Sequence, residues 1–189
     1  MKLRLVIFNL LRGFEKIPGV RLYQVAHFTS FSIILVPKVA TRSTRDALLR
    51  HHYPQIADTI KLTSQKNQFA SNHITYHSFS SLSQLASKRR LVIFYRNHHE
   101  RIRSCWRQKV KTESGVFYFW MYYPFLRRGM SESEFVKMTS CLEPYFSEKH
   151  FENYGRIYDI SGVDTRDLKD FDSFFAHELG FTIKSNVTS

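Results

Sequence analysis

Two segments of this chain contain the same three kinds of stretch in the same order. Each has a short apolar run, then a polar loop with basic and hydroxyl residues, then a stretch with a helical pattern. The first segment covers residues 31–49 and the second covers residues 91–106. Short apolar runs rich in β-branched residues are typical of buried parallel strands. A helix that follows such a strand directs its N-terminal N–H groups and positive dipole end at the loop, which favours anion binding. The repetition therefore predicts a ligand with two separated phosphates.

Strands that alternate with helices predict an α/β protein with a central, mainly parallel sheet flanked by helices. The expected strands cover residues 21–28, 31–36 and 91–95, with a short strand or extended loop at 73–79. The expected helices cover residues 43–51, 80–88 and 99–111, and a capping box at Ser131–Glu134 opens another. A last helix is expected to begin at Asp164 or Thr165 and to end at Gly180.

Two stretches are less regular. The polar residues 64–71 predict a loop. The aromatic run over residues 116–123 fits either a strand or a buried helix.

Length and charge limit the class of protein. The 189 residues suffice for a substantial core, so we expect a single domain over residues 1–189. Lys and Arg exceed Asp and Glu by 28 to 16, and a net charge of +12 attracts nucleotides, nucleic acids, acidic glycans or anionic membranes. Residues 1–12 are too short and too basic to span a membrane. We therefore expect no membrane span and a cytoplasmic location, and the oligomeric state stays open.

The first loop, Pro37–Thr44, offers a cation and hydroxyl groups where the strand ends. Lys38 would lie beside the helix N-terminus, with hydroxyl groups and backbone amides of Thr41, Ser43 and Thr44 available to a phosphate or sulfate. An ammonium is a compact charge suited to an oxygen that gains charge as a bond breaks. The loop lacks the glycines and the Gly-Lys-Ser/Thr ending of a Walker motif. An N-capped helix with a solvated lysine is the alternative interpretation.

The second loop pairs Arg96 with Ser104, which follows it in the next helix. Arg96 stands at the carboxyl end of its strand, where open α/β sheets bind ligands. A helix bent back over that end would bring both side chains to one phosphate, with the guanidinium as a forked donor. We expect Arg101, Arg103 and Arg107 to form a solvated basic surface. An ordinary charged helix is the alternative.

These loops resemble the donor-binding motifs of carbohydrate sulfotransferases of the family 2 type. Residues 37–43, Pro-Lys-Val-Ala-Thr-Arg-Ser, look like the 5′-phosphosulfate-binding loop, and residues 96–109 resemble the 3′-phosphate-binding motif. The resemblance implies a P-loop NTPase-like three-layer fold. It also implies the donor 3′-phosphoadenosine 5′-phosphosulfate (PAPS), a sugar hydroxyl as acceptor, and no metal. The likeness runs from about residue 31 to residue 181, but only the two loops are specific.

The resemblance also implies roles for individual residues. Lys38 would hold the 5′-phosphosulfate and stabilise the leaving phosphate oxygen, while Arg96 and Ser104 would hold the 3′-phosphate. The implied donor-binding set is Lys38, Val39, Ala40, Thr41, Arg42, Ser43, Thr44, Arg96 and Ser104. Arg42 departs from the family, whose members often carry a threonine there.

Sulfuryl transfer also needs a base for the acceptor hydroxyl. The interval between the two phosphate motifs contains His73 and His77 and no glutamate before Glu100. Alternation in a strand puts both histidines on one face, and a neutral imidazole accepts a proton near pH 7. His77 resembles the family's histidine placement and is the predicted catalytic base, together with Lys38 as the second catalytic residue. A satisfied surface histidine is the alternative.

We therefore predict a PAPS-dependent sulfotransferase that acts on a carbohydrate or polysaccharide, with no nucleic-acid partner. A basic nucleic-acid-binding protein is the alternative from another class, because Trp106, Tyr118 and Trp120 would be able to stack on bases. Charge spread along the chain counts against it. A P-loop kinase-like nucleotide-binding protein is a third reading, weakened by the missing Gly-Lys-Ser/Thr. An inactive sulfotransferase-like protein also stays open.

Overall fold

The computed structural model of the chain describes residues 22–111, 129–142 and 154–183, which divide between two compact units. The sheet unit contains the described residues 22–95 and 154–183. The helical unit contains the described residues 96–111 and 129–142. The aromatic run at 116–123 and the opening residues 1–12 lie outside the described residues.

The sheet unit is built on five strands in the spatial order β3-β1-β2-β4-β5. They are β1 (Tyr23–His27), β2 (Ser32–Leu35), β3 (Ile74–His77), β4 (Leu91–Tyr95) and β5 (Val163–Asp167). β1 pairs antiparallel with both β2 and β3, whereas β2 with β4 and β4 with β5 pair parallel. Among these strands, β1 therefore runs against the other four.

The α/β class is confirmed, but the sheet is mixed and the prediction of a mainly parallel sheet is wrong. The reason is the link between β1 and β2, which consists of residues 28–31 and is closed by a hydrogen bond from Phe28 N to Phe31 O of 2.9 Å. So short a link reverses the chain, whereas a parallel pair needs a crossover of about a dozen residues or more.

Helices flank the sheet and form the described part of the helical unit. In the sheet unit they are α1 (Thr41–His52), α2 (Thr63–Ser71), α3 (Phe79–Lys88), α6 (Gly155–Tyr158) and α7 (Phe171–Leu179), the last preceded by a 3₁₀ turn at Leu168–Asp170. In the helical unit they are α4 (His98–Lys109) and α5 (Glu132–Leu142).

Two local predictions are wrong. Residues 64–71, predicted as a loop, belong to α2, which buries Ala70 and is tied to α1 by an ion pair of 3.2 Å between Lys66 and Asp46. Tertiary contact thus stabilises a polar stretch that has little apolar periodicity of its own.

The second wrong prediction is the helix start at Asp164 or Thr165, because these residues lie in β5. Asp164 accepts from Arg90 at 3.2 Å and from Arg166 at 3.0 Å. The capping carboxylate is that of Asp167, which accepts from Lys169 N at 2.8 Å and begins the 3₁₀ turn. Asp164 is therefore a strand residue, and the cap is formed by Asp167 at the end of the strand.

Both predicted helix signals at the other termini are confirmed. Ser131 N donates to the Glu134 carboxylate at 2.8 Å, and Glu134 N donates to Ser131 Oγ at 3.3 Å, which is the reciprocal pattern of a capping box. Helix α7 ends at Gly180 with φ 72°, the left-handed conformation that glycine adopts without strain.

The register of the strands assigns the side chains to two faces. On one face, Arg45 of α1 donates to Gln24 Oε1 at 3.1 Å, and the ring of Phe94 lies 4.9 Å from that of Phe171 in α7. The other face carries a row of polar side chains beside α3, which we call the relay face: His27, Ser32, Thr75 and His77.

The hairpin between β1 and β2 is held by a cation from outside it. Arg89 follows α3, and its guanidinium donates to the carbonyl oxygens of Phe28, Thr29 and Phe31, the last two at 3.0 Å each. Three convergent carbonyl oxygens neutralise much of the cost of burying part of this charge.

Candidate functional site

The loop after β2 has a strained backbone. Lys38 has φ 68° and Ala40 has φ 49°, and these are the non-glycine residues with positive φ in the described part of the chain. Such conformations cost roughly 1–3 kcal/mol each and gather at binding sites, where the surrounding structure enforces them. Here Val39 is 4% exposed, and its N–H donates to Val36 O at 3.1 Å. The buried valine anchors the turn and puts Lys38 and Ala40 on either side of it.

The strained loop leads into the N-terminus of α1 without a side-chain cap. The N-cap residue is Ala40, the first turn contains no acidic residue, and Thr44 N donates to Ala40 O at 2.9 Å. The first N–H groups of a helix have no acceptor within it, and the helix dipole makes this end positive. The exposed Arg42 adds a further cation. The arrangement is electrostatically suited to an anion.

The two threonine hydroxyl groups of this loop were predicted to bind a phosphate or sulfate, but they donate to backbone carbonyl oxygens instead. Thr41 Oγ1 donates to Val36 O at 2.8 Å, and Thr44 Oγ1 donates to Ala40 O at 3.1 Å. Ser43 and Thr44 are 2% and 1% exposed. The two threonine protons thus hold the turn together, so an anion at this place would meet backbone N–H groups and the lysine rather than these protons.

His77 lies at the same edge of the sheet as this loop. It ends β3 and pairs with Tyr23, while the next pair along β1 joins Gln24 to Leu35 of β2. His77 is therefore level with the start of the loop. With β1 between them, the ends of β3 and β2 are two strand spacings apart, about 10 Å. The half-buried imidazole has Nδ1 2.8 Å from Ser81 Oγ and Nε2 2.7 Å from Thr75 Oγ1.

His73 lies at the opposite end of β3 from His77. It precedes β3, its Nε2 is 3.1 Å from the Tyr53 hydroxyl, and its ring stacks on His52 at 3.6 Å between centroids. Burial lowers the pKa of His73, and the neighbouring His52 and His51 lower it further. Its position at the amino end of β3 separates it from the loop after β2. His77, at the other end of β3, is level with that loop but lies on the relay face, whereas the contact of α1 with Gln24 lies on the other face.

In the helical unit, Arg96 lies just before the N-cap of α4, and Ser104 lies in the middle of that helix. The Arg96 side chain is 12% exposed, and its Nε lies 3.6 Å from the Glu100 carboxylate. Burial lowers the pKa of Arg96, Glu100 opposes this, and Arg107 adds to it. Asn97 caps α4 by accepting from His99 N at 2.9 Å, and Ser104 is half-buried in that helix.

One arginine was misplaced by the sequence prediction. Arg101, expected on a solvated surface, is 1% exposed, whereas Arg103 is exposed and has its Nε 2.5 Å from Glu132 Oε1. The available signal was helical spacing: Arg101 shares a face with Cys105, four positions on, and precedes Ile102, and both of these are buried. A buried charge in the middle of the motif was missed because arginine is so often exposed.

The predicted residues thus fall into two groups. Lys38 and His77 belong to the sheet unit and lie at one edge of its sheet. Arg96 and Ser104 belong to the helical unit.

Residues 22–111, 129–142 and 154–183 contain no cluster of three or more potential metal ligands. Within the same ranges, no helix combines the length and the apolar character needed to cross a membrane. Comparisons with protein families, with curated proteins and with solved structures give no match to this chain.

Proposed function

We propose that this protein transfers a sulfuryl group from PAPS to a hydroxyl group of a carbohydrate. The observation that supports this most directly is the loop from Lys38 to Ala40: two left-handed residues carry a lysine to an uncapped helix N-terminus, level with a histidine two strands away. The N–H groups at the start of α1 and the positive end of its dipole favour a dianionic phosphosulfate.

Each residue of the sheet unit has a defined task in this proposal. The donor supplies an activated sulfuryl group. Lys38 stabilises the charge that develops on the leaving phosphate oxygen, and the N–H groups at the start of α1 orient that phosphate. His77 receives the proton of the acceptor hydroxyl as the new bond to sulfur forms. The separation of about 10 Å between the two strand ends leaves room for the sulfur centre and the acceptor oxygen.

The helical unit supplies the 3′-phosphate site in this proposal. The Arg96 guanidinium is largely buried and lies near a more exposed carboxylate, and a desolvated cation gains from a strong anionic ligand such as a phosphate. Ser104 adds a hydroxyl donor from the following helix. The net charge of +12 assists the capture of a donor with several negative charges and of an acidic glycan.

Ligand binding is tested first, by thermal unfolding with 3′-phosphoadenosine 5′-phosphate. A ligand at about 100 times its Kd stabilises a protein by about 2.7 kcal/mol, which gives a clear rise in Tm. ATP with magnesium should give a much smaller rise, because it has no 3′-phosphate for Arg96. An equal or larger rise with ATP and magnesium would favour a kinase-like nucleotide site and contradict the proposal.

Turnover is tested next, with radiolabelled PAPS and a panel of neutral and acidic glycans. The His77→Ala variant should keep the thermal shift with the bisphosphate and lose sulfuryl transfer. His177→Ala is the matched control, since His177 is an exposed histidine on α7. Full turnover in His77→Ala would show that another group is the base.

A further inference from the structure

A continuous chain of hydrogen bonds crosses the relay face from the buried centre of the sheet to its edge. Ser32 Oγ is 2.9 Å from His27 Nδ1, and His27 Nε2 is 2.6 Å from Thr75 Oγ1. Thr75 Oγ1 is in turn 2.7 Å from His77 Nε2, and His77 Nδ1 is 2.8 Å from Ser81 Oγ. Hydroxyl groups and imidazoles thus alternate over three strands and a helix.

The direction of this chain is set at its buried end. Ser32 is 0% exposed, and in the described part of the chain the polar side-chain atom near its hydroxyl is His27 Nδ1. A buried hydroxyl group needs an acceptor for its proton. Ser32 therefore donates to Nδ1, and the neutral His27 carries its own proton on Nε2.

The remaining bonds follow from the number of protons available. His27 Nε2–H donates to Thr75 Oγ1, so the single proton of that hydroxyl is directed at His77 Nε2. His77 then carries its proton on Nδ1 and donates it to Ser81 Oγ. The lone pair on His77 Nε2 is the basic one, and it faces a threonine hydroxyl that is open to solvent.

The surroundings favour the neutral form of His27. Burial lowers the pKa of His27, and the positive Arg89 and the titratable His77 and His73 lower it further. His52 of α1 approaches from the other side, with its Nε2 2.9 Å from the His27 carbonyl oxygen. A neutral His27 accepts at Nδ1 and donates at Nε2, which is the state that the chain of bonds requires.

We propose that Ser32 and His27 are positioning residues that fix the tautomer of His77 through Thr75, and that Thr75 is a catalytic residue that passes the acceptor's proton to His77. The proposal rests on the proposed function for this catalytic consequence. Thr75 Oγ1 has a second lone pair beside the one that accepts from His27. As the acceptor oxygen bonds to sulfur, its proton passes to Thr75 Oγ1 while the threonine proton passes to His77 Nε2. The bond from sulfur to the phosphate oxygen breaks, and the phosphate keeps the electron pair.

The tautomers are measured directly, without any assay of activity. Long-range ¹H–¹⁵N correlation spectra of histidine-labelled protein at pH 8 should show the proton of His27 on Nε2 and that of His77 on Nδ1. Ser32→Ala should abolish this preference in His27, and Thr75→Val should abolish it in His77. The opposite tautomers in the unsubstituted protein would overturn the proposal.

The catalytic consequence is measured with a matched pair of valine variants. Thr75→Val should lower kcat by about 100-fold, the scale of general-base assistance, and leave the KM for PAPS and the shift with the bisphosphate unchanged. Thr75→Ser should restore kcat, and Thr59→Val, which removes an exposed hydroxyl of a distant turn, should keep it. Full kcat in Thr75→Val would overturn the relay and leave the proposed function standing. Predicted tautomers without any sulfuryl transfer would overturn the proposed function instead.

Discussion

The two strand–loop–helix segments look alike in sequence but solve the problem of the helix N-terminus in opposite ways. After β2, the backbone takes two left-handed turns, and α1 begins without a side-chain cap or an acidic residue in its first turn. After β4, Asn97 caps α4 and Glu100 lies beside Arg96. The helix after the first loop thus has no side-chain cap, whereas the second loop has an asparagine cap and a carboxylate beside its arginine. In the proposed function, this difference gives the first loop a chemical role and the second loop a binding role.

The largest difference is expected between Lys38→Ala and Arg96→Ala. Loss of a group that stabilises developing charge costs about 10²–10³ in kcat, so Lys38→Ala should lower kcat by that factor. Arg96→Ala should instead weaken binding of the bisphosphate by about 10- to 100-fold, the value of one charge-assisted hydrogen bond. Steady-state kinetics and calorimetric titration separate the two effects. Equal losses of kcat in both variants would contradict the division of roles.

Substitutions of Ala40 test the strained turn itself. Valine is β-branched and is a genuine outlier at positive φ, so Ala40→Val should lower the free energy of unfolding by about 2 kcal/mol. Ala40→Gly removes the strain and should raise it by up to about 1 kcal/mol. Urea unfolding of both variants gives the comparison. Destabilisation by glycine as large as that by valine would show that the left-handed conformation is not what this position requires.

Removal of the Asn97 cap tests the second loop by its effect on the free energy of unfolding, the same quantity as for Ala40. Asn97→Ala should cost about 1 kcal/mol, because the His99 N–H loses its acceptor. Thermal unfolding should show a fall in Tm of about 2–4 °C for a chain of this length. Asn97→Asp keeps an acceptor and is the control. A shift as small as that of the control would mean that the segment is held by its arginine rather than by its cap.

A fall in pH should lower the free energy of unfolding gradually, through histidines of the sheet unit. His27, His51 and His73 belong to this unit, and burial is the first cause that lowers the pKa of each. Their folded pKa values lie below the unfolded value of about 6.5, so the unfolded chain binds more protons just below that pH. The contribution to stability is complete above about pH 6.5 and falls as the pH drops through the folded values. Urea unfolding between pH 8 and pH 5 should show this loss, which His73→Gln reduces. Rising stability over the same fall in pH would contradict the assignment.

Several parts of this architecture were accessible from the sequence. The apolar runs at β2 and β4, the capping box at Ser131 and the glycine after α7 are local signals, and each matches the structure. The antiparallel β1 was also accessible, because the link of residues 28–31 is too short for anything but a hairpin.

Other parts depend on partners that are distant in sequence. The strand β5 contains Asp164 and Asp167, residues of low strand propensity, and it forms because β4 and Arg90 are beside it. Neither lysine nor alanine favours positive φ, so the turn at Lys38 and Ala40 has no local signature. The hydrogen-bonded chain on the relay face joins residues from three strands, and no single segment of sequence reveals it.

The guanidinium of Arg89, bound to the carbonyl oxygens of the β1–β2 hairpin, has a consequence for the whole sheet. Where β2 begins, the protein provides a permanent cation of its own for the negative ends of its peptide groups. Where β2 finishes, the proposed function puts a bound anion against the N-terminus of α1, which has no side-chain cap. Because Arg89 belongs to the chain, the β1–β2 hairpin would keep its compensating charge each time a bound anion leaves the other end of β2.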